Sequence, residues 1–509
     1  MKAKYTIYTD NIRNKINPRL FGHFMEHSSD VIYDGIFAPG NPMSDDMGFR
    51  EDVCQAIKDS GATTLRYPGG NFVSNYHWED GIGPRELRPQ VFDYAWLTDE
   101  DNRMGTVEFI ELCKKTGTEP YICVNMGSGT AEEAMHWVEF CNGVTNTKYA
   151  NMRRELGYEE PFNVKLWGLG NEMYGDWQFA SCSAIDYAKK AKDFAKAMKW
   201  VDPDIELVAA GYDLDPDWNR IVASMLKPLI SHIAIHHYSI GYGVYHIENY
   251  EECMYLPEYL TKLTKVCYAS ILAGTNDALT DIKVAWDEWN SYAWNLNGEN
   301  QNEKYDLQNA ILTSLIMHSF LKNSDIVEIA SYSPFINKCG AVRTSDNGLL
   351  KRTQYYVFEM LSQAFKECNS YVETKMMCDS IEVDEVIDFS NRLPEPKFSL
   401  NEESLRRKVT TPIIDGIAAI NEKGDKIAIS LINKSENKDC EIDMVSWGAD
   451  IDFDNAKVTV LYDDDIHAAN TFDNPMKVIP KLSNIQTGTN KLLIKKHSLL
   501  VIIAPIKQA

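Results

Sequence analysis

Eight short apolar runs, separated by longer stretches with helical spacing, constrain this chain more than any other feature. They are Leu20–Glu26, Thr63–Tyr67, Pro120–Asn125, Val164–Leu169, Glu206–Gly211, His232–His236, Lys283–Trp286 and Val327–Ser331. Strands that read as nearly continuous apolar runs are buried on both faces, as in parallel sheets covered by helices. The intervening stretches supply such helices. In Ala184–Trp200, residues Tyr187, Ala188, Ala191, Phe194, Ala195 and Met198 recur on one helical face. Eight strand–helix units fit a closed (β/α)8 barrel, an α/β fold. A doubly wound open sheet fits the same alternation.

After about residue 360 the texture changes to short, alternating, turn-separated segments. Gly416–Ile420 and Lys426–Ile432 flank a turn containing Gly424, which reads as a hairpin. Lys457–Tyr462 and Ser498–Ala504 read as further strands, so a C-terminal β-sandwich of the jelly-roll kind is expected. Lys4–Tyr8 alternates like an edge strand that joins it. Residues 391–408 are polar, contain Pro394 and Pro396, and read as a long loop. The expected division is an N-terminal strand segment at 1–14, a catalytic barrel at 15–358 and the sandwich at 359–509.

Composition narrows the partners. A net charge of −23 repels nucleic acids and anionic membranes, so neither is expected as a partner. No stretch is long and apolar enough to span a bilayer. Met1–Asp10 lacks the apolar run of a signal peptide, which points to the cytoplasm. The 11 cysteines contain no C-x-x-C spacing and read as reduced core residues rather than a zinc or redox site.

In a parallel barrel the reactive groups lie at the C-terminal strand ends. The fourth run ends in Gly168-Leu169-Gly170-Asn171-Glu172, and the seventh in Asp287-Glu288-Trp289-Asn290. Two carboxylates facing one mouth are what hydrolysis of a glycosidic bond requires. One protonates the leaving oxygen, and the other, about 5–5.5 Å away in retaining enzymes, attacks the anomeric carbon. Asn171 is placed to hold the adjacent sugar hydroxyl. A single glutamate at a strand end has an ordinary solvated or salt-bridged reading, but two, each flanked by Asn, with Trp beside the second, are harder to read that way.

Other motifs compete or add to this. His23-Phe24-Met25-Glu26-His27 matches the H-x-x-E-H zinc signature, which works only on a helix. Read as a strand, it holds the two histidines about 13 Å apart, leaving them buried and Glu26 able to bind hydroxyls. Arg66-Tyr67-Pro68-Gly69-Gly70-Asn71 follows the second run, so Arg66 points into the mouth and Asn71 reaches a ligand. It lacks the pattern of a phosphate loop. His236 and Tyr238 share one strand face, where the tyrosine hydroxyl can orient a nucleophile. Trp78, Trp96, Trp177 and Trp289 are candidates for flat walls against a sugar ring.

Together these motifs resemble the α-L-arabinofuranosidases of glycoside hydrolase family 51. The resemblance runs through Leu20–His27, Leu65–Asn71, Tyr76–Arg85, Trp167–Met173, Asp287–Asn290 and Asn470–Pro475, in that order. It implies a (β/α)8 barrel with a β-sandwich, retention, no cofactor and no metal. It implies an arabinofuranoside as substrate and a homo-oligomer, commonly a hexamer. Glu172 becomes the general acid/base and Glu288 the nucleophile. Glu26, Arg66, Asn71, Trp96, Asn171, His236 and Tyr238 surround the furanose. A family glutamine falls at Thr353 or, with a one-residue shift, at Gln354. Related specificities (xylosidase, galactofuranosidase, β-1,4-glucanase) use the same two carboxylates. Under this reading Glu172 must hold a proton, so its pKa is expected to be raised by burial and by the charge on Glu288.

Overall fold

Each of the eight apolar runs forms a strand: β1 (Gly22–Phe24), β2 (Thr64–Tyr67), β3 (Glu119–Val124), β4 (Leu166–Leu169), β5 (Glu206–Ala210), β6 (His232–Ile240), β7 (Lys283–Tyr292) and β8 (Val327–Tyr332). All neighbours pair in parallel and the ring closes through β6 and β7, which excludes the open sheet. The structure is a computed structural model that describes residues 1–28, 30–240, 250–292, 294, 305–384, 408–483 and 490–507.

The interior is packed. Tyr121, Leu166, Val208, Ala234, Ala285 and Ile329, one from each of six strands, form a buried cluster inside the barrel. Helices such as Ala184–Val201, Pro216–Leu226 and Leu307–Lys322 wrap it, and their starts are written in the sequence. Ser183, Asp215 and Asp306 each accept a backbone N–H of the first turn, and Pro216 occupies the first helical position after Asp215. Among the described residues no helix is long and apolar enough to cross a membrane.

One irregularity shapes the mouth. On β7, Ala285 pairs with Ala234 and Glu288 with His236, so three steps on β7 match two on β6. The extra residue is a bulge, which kinks the strand and re-aims its side chains.

Nine further strands form one continuous sheet, and three two-stranded ribbons complete the strands of the described residues. Ile414–Ile420 and Lys426–Asn433 make the expected hairpin, with Gly424 at φ 68° in its turn. Lys426–Asn433 and Lys491–Ile494 lie five steps apart in the hydrogen-bonding order, yet Asn433 Nδ2 donates to Ile494 O at 3.5 Å. The sheet therefore rolls over itself around a core that includes Tyr5, Ile429, Ile442 and Ile502. The N-terminal strand, Lys2–Lys15, is not at the edge. It lies between Ser370–Met377, antiparallel, and Cys440–Trp447, parallel. Its alternation reflects one core-facing side, with Tyr5 and Ile7 fully buried, and carries no information about its two backbone edges. The expected loop at 391–408 lies, but for Lys408, outside the described residues.

Ionic and amide contacts fasten sheet to barrel. Asp415 of the sheet accepts from Lys322 (2.6 Å) and hydrogen-bonds His318 (2.6 Å), both on the helix Leu307–Lys322. Burial pushes this carboxyl up, but the charges of Lys322 and His318 hold it well below the usual carboxylate range. Asn470, in the Asn470–Pro475 segment, donates to Lys351 O and Val478 O. We predict that Asp415→Ala, which strands Lys322 without its countercharge, lowers unfolding free energy by about 2–3 kcal/mol, the partial exposure of the pair trimming the loss expected on breaking a buried one. Thermal or urea denaturation reads this; an unchanged midpoint would show that the contact contributes nothing.

Candidate active site

The C-terminal ends of β2, β4, β6 and β7 deliver Arg66, Glu172, His236, Tyr238, Asp287 and Glu288 to one end of the barrel. After β4 the chain turns through Gly170 at φ 73°, where a Cβ would lie 2.9 Å from Met126 Cβ. Glu172 itself sits at φ 41°, a left-handed conformation that a non-glycine residue adopts only when its surroundings enforce it. On β7, adjacent residues would ordinarily face opposite sides of the sheet. Around the bulge both Asp287 and Glu288 find partners inside the barrel, while Trp289 points out to Phe320, Tyr332 and Phe358.

Both oxygens of Glu288 are held. Arg66 Nη1 donates to Oε1 at 2.6 Å and the Tyr238 hydroxyl to Oε2 at 2.8 Å. Arg66 Nη2 donates to Asn171 Oδ1 at 2.8 Å, and its Nε lies 3.2 Å from Asp287 Oδ2. The guanidinium is buried and occupied by protein groups beneath the mouth. Glu172 has three partners: His236 Nδ1 lies 2.9 Å from Oε1, Tyr174 OH donates to Oε1 at 3.3 Å, and Trp177 Nε1 donates to Oε2. The other His236 nitrogen lies 2.8 Å from Asp287 Oδ1, and Tyr121 OH donates to Asp287 Oδ2 at 2.7 Å. One oxygen of Glu172, one of Glu288 and a ring nitrogen of His236 all lie within 4.8 Å of one another. That span would suit a cation, but all three side chains are already hydrogen-bonded within the protein.

The electrostatics depart from the sequence expectation at one point. Burial pushes the Glu172 carboxyl up, yet the hydrogen bond and charge of His236, with Trp177 and Tyr174 donating, bring it below the usual range. Burial likewise opposes charge on His236, but Glu288, Asp287 and the bond to Glu172 carry it well above its ordinary value. Asp287 falls to about 2, because Arg66 and His236 outweigh its burial. The two shifts run opposite to the sequence expectation, with His236 favouring its proton and Glu172 favouring its charge. Glu26 is the carboxyl that rises: burial and the charge of Glu288 push it up to about 8.

The other expected residues are distributed as follows. Glu26 Oε1 accepts from the backbone N–H of Gly70 (2.9 Å) and Phe72 (3.0 Å), so the Pro-Gly-Gly turn clasps it. Trp96 stacks on Trp294 (5.5 Å, 19°), whose Nε1 donates to Tyr238 OH at 3.1 Å. Asn71 is half-buried at the head of a short helix, Asn71–Asn75. Trp177, 57% exposed, lines the mouth, but Trp78 and Trp289 are 1% exposed and belong to the core. Trp78 stacks on Trp137, and Trp289 occupies the outward side of β7. Thr353 and Gln354 are fully buried, hydrogen-bonded to the backbone carbonyls of Tyr305, Asp306 and Gly340. His23 stacks on Phe335 and bonds Ser60, whereas His27 bonds Glu100 and Tyr67, so the two rings of the zinc-like motif have separate surroundings. Sequence reading missed Asp287, Tyr121 and Trp294 as parts of the site. Asp287 belongs to the Asp287–Asn290 motif, but regular strand alternation would turn it away from the side of Glu288; Tyr121 carries no distinguishing signal.

Comparison with known proteins agrees along the chain. A family model described as "Alpha-L-arabinofuranosidase 1 domain" matches residues 56–253, and one described as "Alpha-L-arabinofuranosidase C-terminal domain" matches 287–498. A probable alpha-L-arabinofuranosidase C from Aspergillus clavatus is 34% identical over 446 residues, 84% of each chain. An intracellular exo-alpha-(1->5)-L-arabinofuranosidase from Acetivibrio thermocellus is 32% identical over 86% of each chain. The crystal structure of an alpha-L-arabinofuranosidase from Thermotoga maritima in complex with arabinose superposes with a TM-score of 0.86 at 35% identity. It covers 99% of this chain and 100% of that one.

Gly70 offers a direct test of the geometry. A Cβ there would lie 2.9 Å from Glu288 Oε1 and 3.3 Å from Asn171 Nδ2. Arg66 pins both groups, so neither can yield freely. Gly70→Ala is expected to fold with a near-normal melting temperature and to lose about 100-fold in kcat/KM, the effect of misplacing a reacting group by roughly an ångström. Undiminished turnover would show that Glu288 need not keep this position.

Proposed function

The chain belongs to the α-L-arabinofuranosidases of glycoside hydrolase family 51, and we propose that it releases terminal α-L-arabinofuranosyl residues from arabinose-containing oligo- or polysaccharides with retention of configuration. The approach of a Glu172 oxygen and a Glu288 oxygen to within 4.8 Å carries this reading. Such an approach fits the closely spaced carboxyl pair of a retaining enzyme, about 5–5.5 Å apart.

In this mechanism Glu288 attacks the anomeric carbon while Glu172 protonates the departing oxygen. Arg66 and Tyr238, one on each oxygen of Glu288, keep the nucleophile aimed. The arabinosyl–Glu288 ester then forms, and with it the charge of Glu288 disappears. Glu172, now a base, takes a proton from water, which attacks and restores Glu288. Glu26, Asn71, Trp96 and Asn171 surround the furanose in this reading, with Asn171 positioned toward the hydroxyl next to the reaction centre. Arg66 and His236, assigned to the substrate by resemblance, act here through Glu288 and Glu172. The intracellular Acetivibrio relative supports a cytoplasmic location, and the family resemblance supports a homo-oligomer, up to a hexamer; light scattering reads the latter.

Two variants test the roles. Glu172→Ala is expected to lower kcat/KM by about 10²–10⁴-fold for alkyl or sugar leaving groups and far less for 4-nitrophenyl arabinofuranoside, whose leaving group needs no proton. Glu288→Ala is expected to abolish turnover of both. Equal losses across leaving groups in Glu172→Ala, or an inverted product by NMR, would overturn the assignment, and preference for an aryl xyloside would overturn the specificity.

A further inference from the structure

We propose that His236 and Asp287 form a buried proton store for Glu172, in which the resting site keeps the proton for the leaving group on His236 and passes it across the Nδ1–Oε1 hydrogen bond as the glycosidic bond breaks. This rests on the reading of Glu172 as general acid/base.

Both ring nitrogens of His236 face carboxylate oxygens, Glu172 Oε1 at 2.9 Å and Asp287 Oδ1 at 2.8 Å. A neutral imidazole has one N–H and would set a lone pair against one of those oxygens. One proton more is needed, on the ring or on a carboxyl. Asp287 is a poor place for it, because Arg66 Nε lies 3.2 Å away and Tyr121 OH donates to it. Glu172 is also a poor place, since Tyr174 and Trp177 both donate to it and stabilise its ionised form. Glu288 lies 3.7 Å from Nδ1 and adds a third negative charge facing the ring. The charged and titratable groups around His236 are thus Glu172 and Tyr174 after β4, Asp287 and Glu288 on β7, Arg66 on β2, Tyr121 on β3 and Tyr238 on β6. Two cations, Arg66 and protonated His236, meet three carboxylates. The raised affinity of His236 for its proton agrees with this placement.

The cycle balances. At rest His236 carries two ring protons, and Glu172 and Glu288 are ionised. His236 Nδ1 gives its proton to Glu172, and Glu172 gives it to the leaving oxygen as the C–O bond breaks and the Glu288 ester forms. Water then attacks the anomeric carbon, Glu172 takes its proton, the ester oxygen leaves as carboxylate, and Glu172 returns the proton to His236. Glu172 never has to hold the proton against its three partners for long. Asp287, which touches no substrate, is a positioning residue: its fixed charge keeps the store loaded.

The test is the alkaline limb of the kcat/KM–pH profile in the full-length enzyme, measured with an alkyl arabinofuranoside. The charge on Asp287 raises the affinity of the His236–Glu172 pair for its last proton, so Asp287→Asn is expected to move that limb to lower pH by about one unit or more. A merely structural role would scale the rate at every pH and leave the limb in place, which would overturn the proposal. Should Asp287→Asn fail to fold, ¹⁵N NMR of the histidine rings in the unmodified enzyme decides. Two protons on the His236 ring at neutral pH are expected, and one proton overturns the store. Leaving-group selectivity in Glu172→Ala separates the two claims. If it behaves as a lost acid while the Asp287→Asn limb stays fixed, the store alone falls. Equal losses across leaving groups remove the acid, and the store with it.

Discussion

The guanidinium of Arg66, buried at the end of β2, is the contact around which this site is organised. It touches Glu288, Asp287 and Asn171 at once, on three of its nitrogens. Carboxylates crowded into a site where water is excluded repel one another strongly, and one answers by taking up a proton. A fixed cation in the middle changes that outcome. Asp287 is held down to about 2 with Arg66 and His236 beside it, and Glu26, which Arg66 does not contact, is the carboxyl pushed up to about 8. One buried guanidinium thus fixes the positions of Glu288, Asp287 and Asn171 together.

That arrangement depends on the barrel being closed and on one strand being irregular. Closure makes β6 and β7 neighbours, which sets His236 against Glu288 in register. Without the bulge, alternation would turn Asp287 and Glu288 to opposite sides of the sheet, and one of the two would lose Arg66. A strand defect thus becomes the means by which one short segment supplies both Glu288 and the carboxylate that holds His236.

How much of this the sequence carries follows from the kind of physics each part uses. Burial on both faces leaves a direct trace, so all eight barrel strands were legible as apolar runs, as was the helix beginning after Ser183. Glu172, Glu288 and Tyr238 were legible because strand ends and period-two spacing are local. The place of Lys2–Lys15 was not, since a strand's neighbours depend on pairings hundreds of residues away, with Ser370–Met377 and Cys440–Trp447. Trp78 and Trp289 misled because residue type says that a ring seeks burial, not whether it is buried under a helix or at a mouth. Asp287 was hidden by the bulge, which breaks the alternation by which it would be judged.

The least legible property was where the proton sits. Residue types argue that an acid buried near a like charge should hold its proton, and for Glu26 that argument succeeds. For Glu172 it fails, because hydrogen bonds compete with burial and Glu172 has three partners aimed at it. A carboxylate so well solvated by the protein is seldom protonated by itself, and it works as an acid when the proton has a place nearby to wait. His236, clamped between Glu172 and Asp287, is that place. The backbone at Glu172, held at φ 41°, is strained to bring the carboxylate to it. Strain in the turn and charge on the ring thus serve one end: an acid group that is ionised between turnovers and protonated only when a leaving oxygen needs it.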